Sequence, residues 1–532
     1  MLNRFTFPVF CGLLVGSTAS AATPAAERDR SAAGFMTIKN RQFYDAAGRN
    51  VILRGINIGF SCGPRRHRQK DAPWRHGGPE AFVRIKQWGY ACVRFVIFWS
   101  AVEPECGRYD EAFLRRMDER IGWAKANGIR VIIDMHQDLW GQGASHGRGA
   151  PEWALVDKDK PHVKGEKVWS EAYFRSPVIQ TAFDNFWKNA PAPDGVGIQD
   201  HFAMAWQHVA KRYADDPMVV GYDLFNEPFV GTAVSKAMIA MTLKMTPRLL
   251  AKGIDTTDLD LFELASKAMA LAETNIELYR EWLSAGDKIM PELERTRVGA
   301  MYQRVARAIR KVDGRHFILT SPTLTANFGV ANGIPNLLDQ AGKRDPGHVF
   351  APHAYDDDIQ RIELILGRLI ASAKRLDTPM LLGEWGNLTN SDKIFQSDPV
   401  PPTQVVVKML DEAKASDTYW YYMDRLDKQP YFKSVLQRPY PMCAAGEILG
   451  YRFCPETSVF ECSWREDPSV KMPSVIYVPS VWYAKGHSYE LTPPGAGARF
   501  KTITPDTKNG CLTIPSMGKV GERRLVLRPK GE

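Results

Sequence analysis

The chain has 532 residues, of which 44% are hydrophobic and 24% are charged, and its formal net charge is +9. This length is too great for one average globular domain but suits a barrel with one additional domain. A basic protein can bind nucleic acid or an anionic membrane, yet its Lys and Arg residues form no run interleaved with aromatic residues, so no nucleic-acid interface is predicted. The densest basic cluster, Arg65-Arg66-His67-Arg68, indicates a solvated loop or the rim of an active site.

The N-terminus has the pattern of a secretory signal peptide. Arg4 precedes the apolar run from Phe5 to Val15, and Ala19-Ser20-Ala21 offers a cleavage site of small residues. We therefore expect residues 1–21 to be removed, residues 22–35 to form a flexible N-terminus, and the mature protein to be secreted, either extracellular or periplasmic. The alternative is an N-terminal membrane anchor, but the apolar run is shorter than the about 20 residues that span a bilayer.

The number and spacing of the cysteines indicate the redox state of the protein's compartment and whether it binds a metal. Of the eight cysteines, Cys11 leaves with the signal peptide, and the remaining odd number means that at least one thiol stays unpaired within the chain. Cys443, Cys454 and Cys462 lie close together in the sequence, and one disulfide among them would suit an oxidising compartment. No CxxC pair or HExxH helix accompanies them, so no zinc, other metal or cofactor is predicted.

Eight short apolar runs recur along the chain, each ending in polar or aromatic residues. They are Leu53–Ile58, Cys92–Trp99, Arg130–Gln137, Val219–Pro228, Phe317–Pro322, Val349–Tyr355, Met380–Gly386 and Thr418–Asp424. Amphipathic helical stretches alternate with them, at Glu80–Trp88, Glu111–Asn127, Phe202–Tyr213, Met301–Val312, Ile359–Leu376 and Gln404–Ala415. This alternation predicts an α/β protein with a (β/α)8 TIM barrel over residues 36–429, closed at its bottom by a hairpin at Met36–Leu53. A doubly wound sheet is the alternative, but neither a GxGxxG turn nor a P-loop is present.

Two regions depart from this alternation. Residues 231–300 follow the fourth strand and predict inserted helices on the catalytic side, with an apolar face that includes Met238, Met241, Met245, Met269 and Leu271. This face either meets an apolar ligand or packs only within a helical subdomain. From residue 430, short strands alternate with turns, which predicts a C-terminal antiparallel β-sandwich domain over 430–532. The predicted strands are Ser474–Val478, Ser488–Leu491, Lys501–Thr504, Cys511–Ile514 and Arg523–Leu527.

Catalytic groups of a (β/α)8 barrel lie at the C-terminal ends of its strands. The polar and aromatic candidates at these positions are Arg94, His136, Asp138, Asn226, Glu227, His353, Tyr355, Glu384 and Trp420. Glycoside hydrolysis needs two carboxyl groups facing one cavity, so Glu227 and Glu384 are the candidate catalytic residues, although a single glutamate at a strand end is more often structural. Asn226 suits a hydrogen bond to a sugar 2-hydroxyl, and Arg94 could keep Glu384 ionised. The two histidines lack a third metal ligand in pattern, so we expect them to form hydrogen bonds in the substrate pocket.

Tryptophan side chains offer a further set of candidates. Trp99, Trp187, Trp385 and Trp420 could each stack on a sugar face or fill the core, and for Trp99 the core is expected.

The chain resembles glycoside hydrolase family 5 of clan A, and within it the endoglycoceramidase-related branch. The matching motifs are Leu53-Arg54-Gly55-Ile56-Asn57, Val93-Arg94-Phe95, Asp134-Met135-His136-Gln137-Asp138, Phe225-Asn226-Glu227-Pro228, Gly383-Glu384-Trp385-Gly386 and Arg438-Pro439-Tyr440-Pro441. The resemblance implies net retention through a covalent glycosyl-enzyme, with Glu227 as general acid/base and Glu384 as nucleophile. It also implies that Asp138 binds a sugar hydroxyl and that the subsite where the bond breaks is lined by Arg94, His136, Asn226, Tyr355 and Trp420. The insertion at 231–300 is longer than this branch leads us to expect, and Met423-Asp424 matches no family pattern.

Three functions are consistent with these features. The first is a retaining β-glycosidase that releases a glycan or a single glucose from ceramide. The apolar insertion is the feature that suggests a lipid-linked substrate. A secreted endo- or exo-β-glucanase acting on polysaccharide or oligosaccharide would use the same two carboxyl groups. The third is a non-catalytic glycan- or lipid-binding protein, which the paired glutamates disfavour. We expect a monomer whose partner is a glycolipid or oligosaccharide substrate and which makes transient contact with a membrane surface.

Overall fold

The computed structural model describes residues 34–59, 77–145, 147–166, 168–386, 400–429, 431–494 and 497–530. The predicted signal peptide and the basic cluster from Arg65 to Arg68 lie outside these ranges. Within them, no helix combines the length and the apolar character needed to cross a membrane.

Eight parallel strand positions form the central barrel, which confirms the predicted (β/α)8 fold. After the short strands β1 (Thr37–Lys39), β2 (Gln42–Tyr44) and β3 (Asn50–Val51), the barrel consists of β4 (Arg54–Ile58), β5 (Cys92–Ile97), β6 (Arg130–Met135), β7 (Val219–Asp223), β8 (Phe317–Thr320), β9 (His348–Phe350), β10 (His353–Ala354), β11 (Leu381–Trp385) and β12 (Ser416–Tyr419). The pairing order is β10-β11-β12-β4-β5-β6-β7-β8-β9. The segments β9 and β10 are two parts of the sixth strand, interrupted at Pro352, which has no backbone N–H to donate. The sixth strand therefore joins both ends of the sheet and closes the ring.

Helices surround the barrel and fill two long connections. They are α1 (Pro79–Gln87), α2 (Trp99–Val102), α3 (Glu111–Ala126), α4 (Ala172–Arg175), α5 (Pro177–Trp187), α6 (Ile198–Tyr213), α7 (Val234–Ala251), α8 (Leu261–Ala272), α9 (Ile276–Gly286), α10 (Met290–Leu293), α11 (Gly299–Arg310), α12 (Ile359–Leu376) and α13 (Val400–Ala413). Between β8 and β9, where every residue is described, the helical structure is limited to a 3-10 turn at Leu324–Phe328. The connection from β6 to α6 is nearly as long as the predicted insertion, although the alternation of strands and helices did not single it out.

The N-terminal hairpin packs against the lower end of the barrel. Phe43 and Val51 belong to one apolar cluster with the barrel residues Ile132 and Phe317, and the rings of Phe43 and Phe317 lie 5.4 Å apart. The strand β3 also pairs with a strand of the C-terminal region. The hairpin therefore contacts both the barrel and the C-terminal sheets, a connection that the sequence pattern did not predict.

The C-terminal region contains two antiparallel sheets. Its strands are β13 (Tyr440–Ala444), β14 (Gly446–Cys454), β15 (Val459–Glu466), β16 (Ser474–Val478), β17 (His487–Thr492), β18 (Arg499–Thr502), β19 (Gly510–Ile514) and β20 (Gly521–Pro529). One sheet has the order β1-β2-β3-β13-β16-β19-β18 and the other the order β14-β15-β20-β17. Side chains of both sheets, among them Trp464, Tyr477 and Leu525, form a common buried core.

The expected disulfide among Cys443, Cys454 and Cys462 is wrong. All six described cysteines are free thiols. In the β14–β15 hairpin, Cys454 lies opposite Val459, whereas Cys462 lies opposite Tyr451. Three residues along a strand correspond to about 10 Å, which is too far for a disulfide bond. Cys443 lies in the other sheet.

The apolar face predicted for residues 231–300 packs inside the molecule. Met241, Met245 and Leu271 are buried among α7, α8 and α9, so this face stabilises a helical subdomain. The solvent-facing side of α7 instead carries Leu243 and Leu250, which are 61% and 54% exposed. Apolar residues that could meet a lipid are therefore present, but they are not the ones the sequence singled out.

Candidate active site

Glu227 lies just beyond the carboxyl end of β7, in a constrained turn. Its backbone φ is 41°, in the left-handed region that residues other than glycine rarely adopt. The Nε2 of Gln137 donates hydrogen bonds of 2.9 and 3.0 Å to the backbone oxygens of Asn226 and Glu227. Backbone strain of this kind recurs at functional sites, where surrounding contacts must hold it in place. Gln137 therefore positions the turn that presents Glu227.

Glu384 lies within β11 and is held through both carboxylate oxygens. Its Oε1 accepts a hydrogen bond of 2.7 Å from Nη1 of Arg94, and its Oε2 accepts one of 3.0 Å from the hydroxyl of Tyr355. Burial raises the pKa of Glu384, while the Arg94 charge opposes that rise. The two donors fix the orientation of the carboxylate and favour its ionised form.

Arg94 is fully buried and links the acidic groups at the bottom of the site. Besides Glu384, it contacts Asp223 through Nε and Asp134 through Nη2, each at 2.8 Å. Its Nη2 also donates to Oδ1 of Asn226 at 3.0 Å, and its Nη1 donates to Oδ1 of Asn57 at 3.1 Å. A guanidinium group suits this arrangement because its five N–H donors point in fixed directions.

His136 and Trp420 form one wall of the site. Their rings stack with centroids 5.3 Å apart. Nδ1 of His136 lies 2.9 Å from Asp134, and Nε2 lies 3.5 Å from Asp138. The negative charge of these two aspartates raises the pKa of His136 to about 10 despite its burial, which alone would lower it. A protonated His136 and the half-buried Trp420 and Asp138 can together contact a sugar.

His353 lies between the two glutamates. Its Nδ1 is 2.9 Å from Oε1 of Glu227 and 3.6 Å from Oε2 of Glu384. Burial lowers the pKa of His353 to about 4, so the ring is neutral at neutral pH. One carboxylate oxygen of each glutamate and one nitrogen of His353 lie within 4.8 Å of one another. This short separation fits a retaining pair, because inverting enzymes keep the carboxyl groups about 6.5–9.5 Å apart.

Glu227 differs from Glu384 in its hydrogen-bond partners. Its Oε1 accepts a hydrogen bond of 2.7 Å from Nδ2 of Asn327. Burial and the negative charge of Asp138 raise the pKa of Glu227 to about 7. Near neutral pH this carboxyl group can therefore both donate and accept a proton.

The structure brings all nine predicted site residues to the C-terminal end of the barrel. The contacts above connect six of them to one another, Asp134 links His136 and Asp138 to Arg94, and Trp420 stacks on His136. Trp99 and Trp385 are instead buried in the core, where Trp385 donates to Asp417.

Five polar residues of the site were not predicted. Asn57, Asp134 and Gln137 stand inside recognised motifs and Asp223 ends β7, so the places of these four at or near strand ends could have identified them. Asn327 lies on the 3-10 turn after β8, where no regular spacing points to it.

Two family models match the chain. Residues 44–425 match a model described as cellulase (glycosyl hydrolase family 5), and residues 438–521 match the glycoside hydrolase family 5 C-terminal domain. The first match spans the barrel with both glutamates, and the second spans most of the C-terminal sheets.

Known relatives match over different lengths. Endoglycoceramidase I of Rhodococcus hoagii is 25% identical over 500 residues, which cover 88% of this chain and 85% of the relative. A glucosylceramidase of Aspergillus fumigatus is 30% identical over 248 residues, but these cover only 36% of this chain and 32% of the relative. Among solved structures, endo-glycoceramidase II from Rhodococcus sp. in its ganglioside GM3 complex has a TM-score of 0.68 and 25% identity, covering 93% of this chain and 100% of that one. The lactosyl-enzyme intermediate of the same enzyme has a TM-score of 0.67 and 25% identity, covering 92% and 99%.

Proposed function

The chain belongs to glycoside hydrolase family 5, and we propose that it hydrolyses the β-linkage between ceramide and its glycan or glucose. The observation that carries this proposal is the pair of buried glutamates with oxygens within 4.8 Å of each other, one beside a guanidinium group and the other with a pKa near 7. The reaction proceeds by double displacement with retention of anomeric configuration.

In the first step, the Glu384 carboxylate attacks the anomeric carbon. The bond from that carbon to the ceramide oxygen breaks, and Glu227 delivers its proton to the leaving oxygen. Arg94 and Tyr355 stabilise the ionised nucleophile before attack, and the resulting intermediate is an ester between Glu384 and the sugar.

In the second step, Glu227 acts as a base. It removes a proton from water, whose oxygen attacks the anomeric carbon while the ester bond to Glu384 breaks. The pKa of Glu227, about 7, suits both directions of proton transfer. The products are the free sugar with its original anomeric configuration and the two glutamates in their starting states.

The lipid part of the proposal has two supports. A relative that matches 88% of this chain is named an endoglycoceramidase. The helix α7, which begins soon after Glu227, presents Leu243 and Leu250 to solvent. Exposed apolar side chains on a helix that starts at the catalytic end of the barrel suit a substrate whose leaving group is a lipid, and they could also contact the membrane that carries it.

A polysaccharide β-glucanase is the second candidate, because the same carboxyl pair would serve it. A chromatographic screen distinguishes the two. Purified protein is incubated with glucosylceramide, lactosylceramide, gangliosides, cellulose and mannan, with Glu384→Gln as the inactive control. Release of ceramide by the wild-type protein alone would support the proposal, and hydrolysis restricted to the polysaccharides would refute its lipid part. Binding of glycans with no hydrolysis would favour a non-catalytic protein.

We also propose that the protein is secreted after removal of residues 1–21 and acts as a monomer. The signal-peptide pattern supports the first statement, and N-terminal sequencing of protein recovered from the medium or periplasm tests it. Light scattering coupled to size-exclusion chromatography tests the second.

A further inference from the structure

A second cluster of chemically active side chains lies away from the two glutamates. Cys106 follows α2 on the loop after β5, Asp194 precedes α6, and His201 is in the first turn of that helix. Sγ of Cys106 lies 3.5 Å from Nε2 of His201, and both carboxylate oxygens of Asp194 lie 3.1 Å from the same nitrogen. One ligand atom from each residue lies within 4.8 Å of the other two. Two segments that are distant in the sequence thus place a sulfur, a nitrogen and an oxygen around one point.

The imidazole of His201 is oriented by a buried carboxylate. Its Nδ1 lies 2.8 Å from Oε1 of Glu103. Glu103 also accepts hydrogen bonds from Nε1 of Trp99 and from the backbone N–H of Gly107, at 2.8 and 2.9 Å. A carboxylate fixed in this way accepts a hydrogen bond from Nδ1–H, so Nε2 is the nitrogen that faces Cys106 and Asp194 and can bind a metal ion. A metal-binding histidine commonly donates its other ring N–H to a carboxylate, which fixes the orientation of the ring.

The distances fit a tetrahedral metal ion. With bonds of about 2.3 Å to sulfur and about 2.0–2.1 Å to nitrogen, a tetrahedral zinc ion holds these two atoms about 3.5 Å apart. The separation between Cys106 and His201 is 3.5 Å. A thiolate, an imidazole and a carboxylate together suit Zn²⁺, which accepts sulfur, nitrogen and oxygen ligands.

We propose that Cys106, Asp194 and His201 bind a zinc ion and that Glu103 orients His201. Three protein ligands leave the fourth position for water. Asp194 is largely exposed and Cys106 half-buried, so the ion can enter from solvent. The sequence pattern did not predict this site because 95 residues separate Cys106 from His201.

The same side chains have a second chemical interpretation. A cysteine beside a histidine that is oriented by a glutamate resembles a nucleophile, a base and an orienting group. The geometry favours the metal. Both carboxylate oxygens of Asp194 lie 3.1 Å from Nε2 of His201, which is the nitrogen that would have to accept the thiol proton, so this nitrogen is not available to act as a base for Cys106 alone.

The position of the site indicates a structural role. The loop with Cys106 follows the carboxyl end of β5. The helix α6 starts at the same end of the barrel, where the long connection from β6 ends; this connection begins with His136 and Asp138. A zinc ion would tie the end of this connection to its neighbouring loop. We therefore expect zinc to raise the melting temperature Tm of the whole protein.

The test is zinc binding by the full-length mature protein after metal removal with a chelator. Bound zinc is measured by mass spectrometry after loading and dialysis, and Tm is measured with and without zinc. Cys106→Ser and Asp194→Asn remove one ligand each. Cys454→Ser is the matched control, because Cys454 is also half-buried and donates to a carboxylate, that of Glu456 at 3.1 Å. Glu384→Gln serves as a second control, since it alters the catalytic carboxyl cluster.

The proposal requires about one zinc ion per chain and a zinc-dependent rise in Tm for the wild type and both controls. It also requires the loss of both effects in Cys106→Ser and Asp194→Asn. Absence of stoichiometric zinc from the wild type, or equal binding by these two variants, would overturn it. Alkylation of Cys106 by iodoacetamide adds an independent readout. Zinc should protect the thiol, and fast alkylation that zinc does not slow would identify a nucleophile instead. None of these outcomes depends on which glycoside the enzyme hydrolyses.

Discussion

Nδ2 of Asn327 donates a hydrogen bond of 2.7 Å to Oε1 of Glu227. This contact joins the 3-10 turn after β8 to the carboxyl group proposed as the acid/base. A hydrogen bond from an amide stabilises the ionised form of a carboxyl group, so Asn327 opposes the effect of burial, and the pKa of Glu227 is about 7 with both contributions present.

The pH dependence of activity should report this balance. Glu227 must be protonated in the free enzyme, so kcat/KM should be high below pH 7 and fall as the pH rises through the pKa of about 7. Asn327→Ala removes a donor to the ionised form and should shift this fall to higher pH. Asn332→Ala is the control, because Asn332 lies nearby in the chain but donates to Ser372. A pH profile that is the same in Asn327→Ala and the wild type would contradict the role of Asn327.

Tyr355→Phe should reduce activity without unfolding the protein. The change removes the hydroxyl that donates to Oε2 of Glu384 at 3.0 Å. A hydrogen bond to a charged group contributes about 1.5–3 kcal/mol, which corresponds to a decrease in kcat/KM of about ten- to a hundredfold. Steady-state kinetics and thermal unfolding measure the two properties separately. Tyr489→Phe, in the exposed strand β17, should leave both unchanged. Full activity of Tyr355→Phe would show that the Tyr355 hydroxyl does not contribute to catalysis.

Arg94→Met should lower stability as well as activity. The guanidinium group contacts Asp134, Asp223 and Glu384, and its loss leaves buried negative charges without their partner. Removing one partner of a buried ion pair costs about 3–5 kcal/mol, and denaturant unfolding near neutral pH measures this loss. The control is Arg84→Met, because Arg84 pairs with Asp424 at the surface and should contribute below about 1 kcal/mol. Equal effects of the two substitutions would show that the buried network contributes no more than a surface pair.

Exposed leucines on α7 should matter only for lipid substrates. The double substitution of Leu243 and Leu250 by Ser should reduce hydrolysis of glucosylceramide presented in vesicles, because less apolar surface meets the membrane. Hydrolysis of a water-soluble aryl glycoside should stay unchanged, because neither leucine contacts the glutamates. Val83→Ser, on the barrel helix α1, should affect neither substrate. A parallel loss on both substrates would indicate general damage rather than membrane contact.

The periodicity of apolar residues predicted strands and helices well where buried side chains recur at regular spacing. The barrel strand β5 was predicted from its first residue, and the predicted strand Ser474–Val478 matches β16 at both ends. Strands β13, β14 and β15 were not among the predicted strands; in β13, Pro441 interrupts the pattern, and the register against β16 shifts between Pro441 and Cys443. The hydrophobic pattern of α7 identified an amphipathic helix, but only the tertiary packing shows that Met245 faces inward.

Site residues were predictable where a strand end places them. Glu227 and Glu384 follow or end apolar runs, their pairing at two strand ends made them candidates, and the resemblance to family 5 assigned their roles. Asn327 lies on an irregular turn, and the pair of Cys106 and His201 joins two distant segments. Their proximity depends on how the connections fold over the barrel, which no local pattern encodes.

The roles of the two glutamates are tested most directly by azide rescue with an activated aryl β-glycoside. In Glu227→Ala, azide should enter the space left by the acid/base and attack the glycosyl-enzyme, giving a β-glycosyl azide. In Glu384→Ala, azide should replace the nucleophile and attack the substrate directly, giving the α-glycosyl azide. The configuration of each product can be read by NMR. An α-azide from Glu227→Ala together with a β-azide from Glu384→Ala would contradict the assignment of Glu227 as acid/base and Glu384 as nucleophile.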